Sequence, residues 1–151
     1  MRQLDNLYFA EQVAAIAPPP KNGTVLVVLE PVRNTWGRST AGEFQALEYF
    51  FENLDLLWPA GVSKVLLRPH PSESFDMYNN WLARCPLAQL DTSSSLSAAV
   101  SRSDVVVGVE SFALTIALAA GRPVYSSLPP WGPPLRLPHI GIRQIRNLSQ
   151  L

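Results

Sequence analysis

The strongest constraint on this chain is an alternation: short runs of β-branched and aliphatic residues recur, each followed by a stretch with apolar positions at helical spacing. The first run, Thr24-Val25-Leu26-Val27-Val28-Leu29, is nearly continuous, as a strand buried on both faces should be, and Pro31 ends it. After a polar loop, Ser39 or Thr40 is placed to cap a helix with apolar positions Phe44, Leu47, Phe50, Phe51, Leu54 and Leu57, stopped by Pro59 and Gly61. Strands follow at 64–67, 88–90, 104–107 and 123–125, separated by helices around 75–83, 96–101 and 111–120, the last ending at Gly121. Strict strand–helix alternation with crossovers of this length implies right-handed connections and a parallel sheet covered on both faces. The expected architecture is therefore a three-layer α/β/α sandwich with five strands in the order 3-2-1-4-5. Sheets of this kind bind ligands beyond the carboxyl ends of the strands, where the order reverses.

At 151 residues, 47% of them apolar, the chain has the size of one domain with a real core. Residues 1–22 read as a leader or linker, and 23–151 as a single domain. Fourteen prolines, against a usual frequency of roughly 5%, fall largely in two clusters, Pro18–Pro20 and the tail from Pro129 to Pro138, after which a short helix is expected near 145–151. Twelve cations balance twelve anions, which leaves no electrostatic footprint for nucleic acid, so an anionic ligand must be met locally. Ten of the cations are Arg, which favours forked recognition of carboxylates and phosphates. One cysteine, Cys85, excludes an intrachain disulfide and a clustered-thiolate zinc site and fits a reducing compartment. No apolar run reaches the length of a membrane span and the start lacks the pattern of a signal peptide. The expectation is a soluble cytoplasmic protein, or one peripheral to the inner face of the membrane through a partner.

Three loops at the carboxyl edge carry the unusual residues. The second strand runs into Arg68-Pro69-His70-Pro71-Ser72-Glu73, where two prolines fix the backbone around an imidazole. His70 could donate a hydrogen bond to a phosphate, or a proton to a phosphate leaving group, with Arg68 pairing the same anion; the structural alternative is a plain turn with Arg68 paired to Glu73. The fourth strand leads into Gly108-Val109-Glu110-Ser111, where Gly108 permits close approach of backbone and Ser111 with the free N–H groups of a helix start forms an anion site. Glu110 would repel a phosphate and suits ligand hydroxyls such as those of a ribose; the alternative is an ordinary helix cap. The third loop, with Arg33, Arg38, Ser39 and Thr40, is a further candidate, although it lacks the glycine spacing of dinucleotide and P-loop sites. The segment from Ser126 to His139, with Trp131 among prolines, reads as a base-binding flap or as a packed cover. His70 and His139 are too few and too far apart for a metal site, so none is expected.

Taken together, "VLLRPHPSES" and, about 35 residues later, "SDVVVGVESFALTIALAAGRPV" resemble the C-terminal, nucleotide-sugar-binding half of GT-B-type glycosyltransferases. The similarity covers most of 24–126 and is closest in kind to bacterial sialyltransferases and polysialyltransferases, and more distant from capsule and teichoic-acid glycerophosphotransferases. The resemblance implies a Rossmann-like domain in which His70 and Pro71 form the His-Pro element that touches the donor and Ser111 sits at the phosphate-binding helix start. Glu110 stands where several sialyltransferases have Ser, which speaks against a CMP-linked donor. "ALAAGRPV" matches the helix, glycine turn and strand of the family and is structural.

GT-B enzymes place the donor between two Rossmann-like domains, so the resemblance implies an N-terminal domain, a partner subunit or a homo-oligomer to complete the site. The function expected on this basis is nucleotide-sugar donor binding for glycosyl transfer to a surface or capsular polysaccharide. His70 would be catalytic; Arg68, Pro71, Glu110, Ser111, Arg33, Ser39 and Thr40 would hold the donor, with no separate cofactor. The alternative from another class is a noncatalytic Rossmann-like interaction module whose leader and proline-rich tail dock on a partner.

Overall fold

The run Thr24–Val28 becomes β1 at the centre of the sheet, with all five residues buried, in a computed structural model that describes residues 2–32, 34–71, 73, 75–135 and 141–148. Its side chains alternate between faces as strand geometry requires. Val25 and Val27 pack with Val65 and Leu67 of β2 (Lys64–Arg68) against Leu47 and Phe50 of α2 (Gly42–Glu52) and Trp81 of α4 (Asn79–Arg84). Leu26 and Val28 pack with Val106 of β4 (Val105–Gly108) against Val100 of α5 (Leu96–Ser101) and Leu114 and Ala117 of α6 (Phe112–Ala119). Two separate cores on the two faces make the three layers. Each fully buried aliphatic side chain contributes about 1.5–3 kcal/mol relative to exposure.

With β3 (Ala88–Leu90), β5 (Val124–Ser126) and β6 (Arg143–Gln144), the order is β3-β2-β1-β4-β5-β6, all parallel. The sheet thus has six strands rather than five. The extra one is two residues long, pairs Tyr125 with Arg143 and Ser126 with Gln144, and carries no apolar run that would mark it in the sequence. The register brings Val28, Arg68, Gly108 and Ser126 to one level at the carboxyl edge.

Three helical expectations change. Neither Ser39 nor Thr40 caps α2: Ala41 is the cap residue, without a side-chain bond, because Gln45 Nε2 donates to the Thr35 and Thr40 carbonyls (2.6 and 2.8 Å) and thereby holds the loop itself. The long helix expected over Phe44 to Leu57 breaks at Asn53, whose side chain donates to the Tyr49 carbonyl (2.8 Å), into α2 and α3 (Leu54–Leu57). The next one divides into a 3₁₀ turn, Phe75–Tyr78, and α4. The final helix, α7, spans Ile145–Leu148; its expected continuation to 151 lies outside the described residues, as do Arg33 and His139.

The segment read as a leader holds α1 (Arg2–Ala14), which packs on α5 and α6. Phe9 and Phe112 rings sit 6.0 Å apart, and the Ser97 hydroxyl bonds Gln12 Oε1 at 2.8 Å. Beyond α1, the Lys21 and Gly23 N–H groups donate to the Asp104 carboxylate (2.6 and 2.8 Å). Arg122, 2% exposed, completes the clasp by donating to the carbonyls of Ala17 (2.7 Å), Ser103 (2.8 Å) and Val100 (3.2 Å). Gly121, at φ +84°, supplies the left-handed turn that ends α6 and delivers Arg122 to this position.

Candidate functional site

The strand order reverses between β1 and β4, and the chain leaves both strands at the same edge. Leu29 N–H continues the ladder by donating to the Arg68 carbonyl (2.9 Å), and the next residue, Glu30, lies half-buried beneath the β4–α6 loop. Its Oε1 accepts the Glu110 N–H at 2.6 Å. Burial raises the Glu30 pKa above its ordinary value of 4.5, and the Glu110 charge adds to this; the Glu110 and Ser111 N–H groups and the nearby His70 oppose it. Glu30 was not a sequence candidate, yet it joins the β1, β2 and β4 loops. The N–H groups expected to receive a ligand anion are in part engaged by this internal carboxylate.

His70 is exposed at the neighbouring strand end. Besides the flanking prolines, Glu73 fixes its backbone: Glu73 Oε1 accepts the His70 N–H (2.9 Å), and Glu73 N–H donates back to the His70 carbonyl (2.8 Å). Glu73 is held in turn by the hydroxyl of the fully buried Tyr78 (2.8 Å), whose pKa burial and the Glu73 contact drive upward. The backbone that carries the imidazole is therefore held by Glu73 at both its N–H and its carbonyl.

Arg68 pairs with neither Glu73 nor His70's loop. Its Nη1 donates to the buried Asp91 (2.9 Å) and to the Ser93 carbonyl (3.1 Å), which turns it toward β3. There it lines a pocket of about 350 Å³ with Pro69, Pro71 and Thr92. Ser111 caps α6, its Oγ accepting the Ala113 N–H at 3.1 Å. The close approach allowed by Gly108 is internal: a Cβ there would meet Leu114 Cδ2 at 3.0 Å and the Val28 carbonyl at 3.3 Å. Ser39 and Thr40 are exposed and line a different groove with Arg38 and Trp131.

Glu43 is a second carboxylate absent from the sequence reading. Buried at the start of α2, it accepts the Val32 N–H, and burial raises its pKa from 4.5. Its signal was available in hindsight as an acidic first turn next to a polar loop; Glu30's was a carboxylate directly after a buried strand. Among the described residues no group of three or more His, Cys, Asp or Glu is placed to hold a metal ion. The edge that assembles is thus Glu30, His70, Glu110 and Ser111: carboxylates suited to accept from hydroxyls, an imidazole suited to donate to an oxyanion, and a helix start.

No protein-family model matches the sequence, and no curated protein matches it. Among solved structures, the chain is similar to Thermosulfurimonas dismutans KpsC, described as a beta Kdo 2,7 transferase, with a TM-score of 0.50 and 16% identity over 91% of this chain. The chain spans 44% of the length of that structure. At this identity the likeness concerns the fold. No helix of the described residues is long and apolar enough to cross a membrane.

Proposed function

We propose that the carboxyl edge of this sheet binds a nucleotide-sugar donor and serves as the donor half of a glycosyltransferase of surface or capsular polysaccharide. The observation that carries the reading is the convergence of Glu30, His70, Glu110 and Ser111 at the point where the strand order reverses between β1 and β4. His70 donates to a donor phosphate and supports the leaving group as it departs. Glu110 and Glu30 accept from ribose or sugar hydroxyls, and the start of α6 faces the phosphates. The fold similarity to KpsC, described as a beta Kdo 2,7 transferase, supports the reading. The acceptor half, on this proposal, comes from a second domain or subunit.

A second reading, a binding module without catalysis, draws on Leu7, Tyr8 and Phe112, each more than half exposed around the start of α6. One experiment separates the two. Thermal shifts are measured with CMP, CDP, UDP, UMP, GDP and their sugar conjugates. A ligand at a hundred times its Kd adds about 2.7 kcal/mol by mass action, a rise of several degrees in Tm. The donor reading expects one nucleotide to shift the wild type and not His70→Ala, with both proteins folded. No shift by any of them at millimolar concentration leaves the binding module.

A further inference from the structure

A groove of about 650 Å³ between α2 and α4, lined also by Trp131 of the proline-rich segment, lies away from the strand-order reversal. Residues 129–133 of that segment are held in place. Arg146 Nη1 donates to the Pro133 carbonyl at 3.0 Å and to those of Pro129 and Gly132 at 3.4 Å, and Trp131 Nε1 donates to Gln45 Oε1 at 2.6 Å. The Tyr49 ring meets the indole edge-on at 5.9 Å.

Each end of the groove carries a guanidinium laid on a tryptophan. Arg38 sits 3.8 Å from the Trp131 ring centre, and Arg84 sits 4.7 Å from that of Trp81, which is itself stacked on Phe51 at 5.9 Å. Stacking on a ring face leaves a guanidinium's in-plane N–H groups able to donate. Arg84 already has Glu48 at 3.5 Å; Arg38 has no ion pair among the described residues. The polar lining also includes Ser39, Thr40, Gln45, Glu48 and Glu52, with Phe44 and Tyr49 as apolar wall.

We propose that this groove is a second binding site, for a saccharide that carries a carboxylate or phosphate group, with Arg38 pairing the anionic group and the groove carboxylates accepting from ring hydroxyls. Its volume is that of a small-ligand site. An acidic peptide would supply the anion but set its remaining carboxylates against Glu48 and Glu52. A polyhydroxylated ring with one anionic group satisfies both kinds of lining residue. The site shares no lining residue with Glu30, His70, Glu110 and Ser111 and does not rest on the donor reading.

The test follows the tryptophan indole N–H signals by NMR, with Trp131 assigned through Trp131→Phe. The full chain is titrated with a glucuronate-containing disaccharide, with glucose 6-phosphate and with the neutral disaccharide cellobiose. Saturable movement of the Trp131 signal is expected with at least one acidic probe, and which of the two acts distinguishes carboxylate from phosphate recognition. Arg38→Met should weaken that binding by about tenfold or more, as loss of a charge-assisted bidentate pair does, while Arg38→Lys falls between. His70→Ala should bind the saccharide as the wild type does, so failure of the donor reading leaves this outcome untouched. Equal binding of cellobiose, no saturable shift with either acid, or unchanged affinity in Arg38→Met overturns the proposal.

Discussion

A carboxyl group placed just past the end of β1 is subject to opposing influences: removal from water disfavours its charge, while the N–H of Glu110 and the imidazole of His70 favour it. Burial dominates, so the Glu30 pKa in the fold stands above 4.5. A raised folded pKa means the native state holds the proton more tightly than the unfolded chain. Its contribution to stability is then complete below about 4.5 and is lost as pH rises through the folded value. Glu30→Gln keeps an oxygen for the Glu110 N–H and removes the titration. The expected result is a Tm difference, variant minus wild type, that grows more positive as pH is raised from below 4.5 toward neutrality; a difference independent of pH would show that Glu30 titrates normally. The one local mark of this residue is its place directly after a buried strand, and that does not reveal its partner. Pro31 closes the strand after it, and its partner is Glu110, eighty positions away. His70, by contrast, was legible because the prolines that restrain it are its neighbours, although the Glu73–Tyr78 clasp was not.

Ser111 joins two roles at one helix start, and substitution can part them. As the cap of α6 its hydroxyl satisfies the Ala113 N–H, and loss of such a cap costs about 1 kcal/mol. Ser111→Ala should therefore lower stability by about 1 kcal/mol and weaken nucleotide binding. Ser111→Asp keeps a capping oxygen and suits the positive end of the helix, so stability should return to the wild-type level. Its charge should nevertheless abolish binding of a nucleotide phosphate. Chemical denaturation and nucleotide titration of both variants make the check, and an Asp variant that binds like the wild type would remove the α6 start from the site. The elements themselves follow how much each run declares. The runs of β1 to β5 are apolar enough to be read directly, and their alternation with helices gives the order across the centre of the sheet. β6 escaped because Arg143 and Gln144 are polar edge residues whose only qualification is their pairing with Tyr125 and Ser126. Ser39 and Thr40 have the chemistry of caps, but the loop is secured by Glu43 and Gln45 instead, and composition alone does not decide between such competitors.

Across the whole molecule the two edges of the sheet divide the work. The carboxyl edge collects the half-buried carboxylates and the imidazole, whereas the amino edge is where α1, α5 and the turn after α6 are fastened by Arg122. Burial pulls the Arg122 guanidinium below its usual pKa, and the nearby Asp104, itself bonded to Lys21 and Gly23, opposes the shift. An unpaired buried guanidinium would be costly, and here three carbonyls from two segments satisfy it. Arg122→Met retains most of the volume but strands the Ser103 carbonyl in a dry place, leaves the Val100 carbonyl with the Ser103 N–H alone and releases Ala17. The expected loss is about 2–4 kcal/mol, read as a lower urea midpoint with an unchanged slope. Hydrogen exchange should quicken around 17–24 and at the end of α5, the segments that Arg122 and Asp104 tie together. The edges are bridged by β1 and β4, strands with their interior residues fully packed, so the folded variant should keep the nucleotide affinity and the groove saccharide affinity of the wild type. If either affinity fell by more than the unfolded fraction explains, the clasp would have to act on the binding edge through those strands, and the division between a fastening edge and a binding edge would fail.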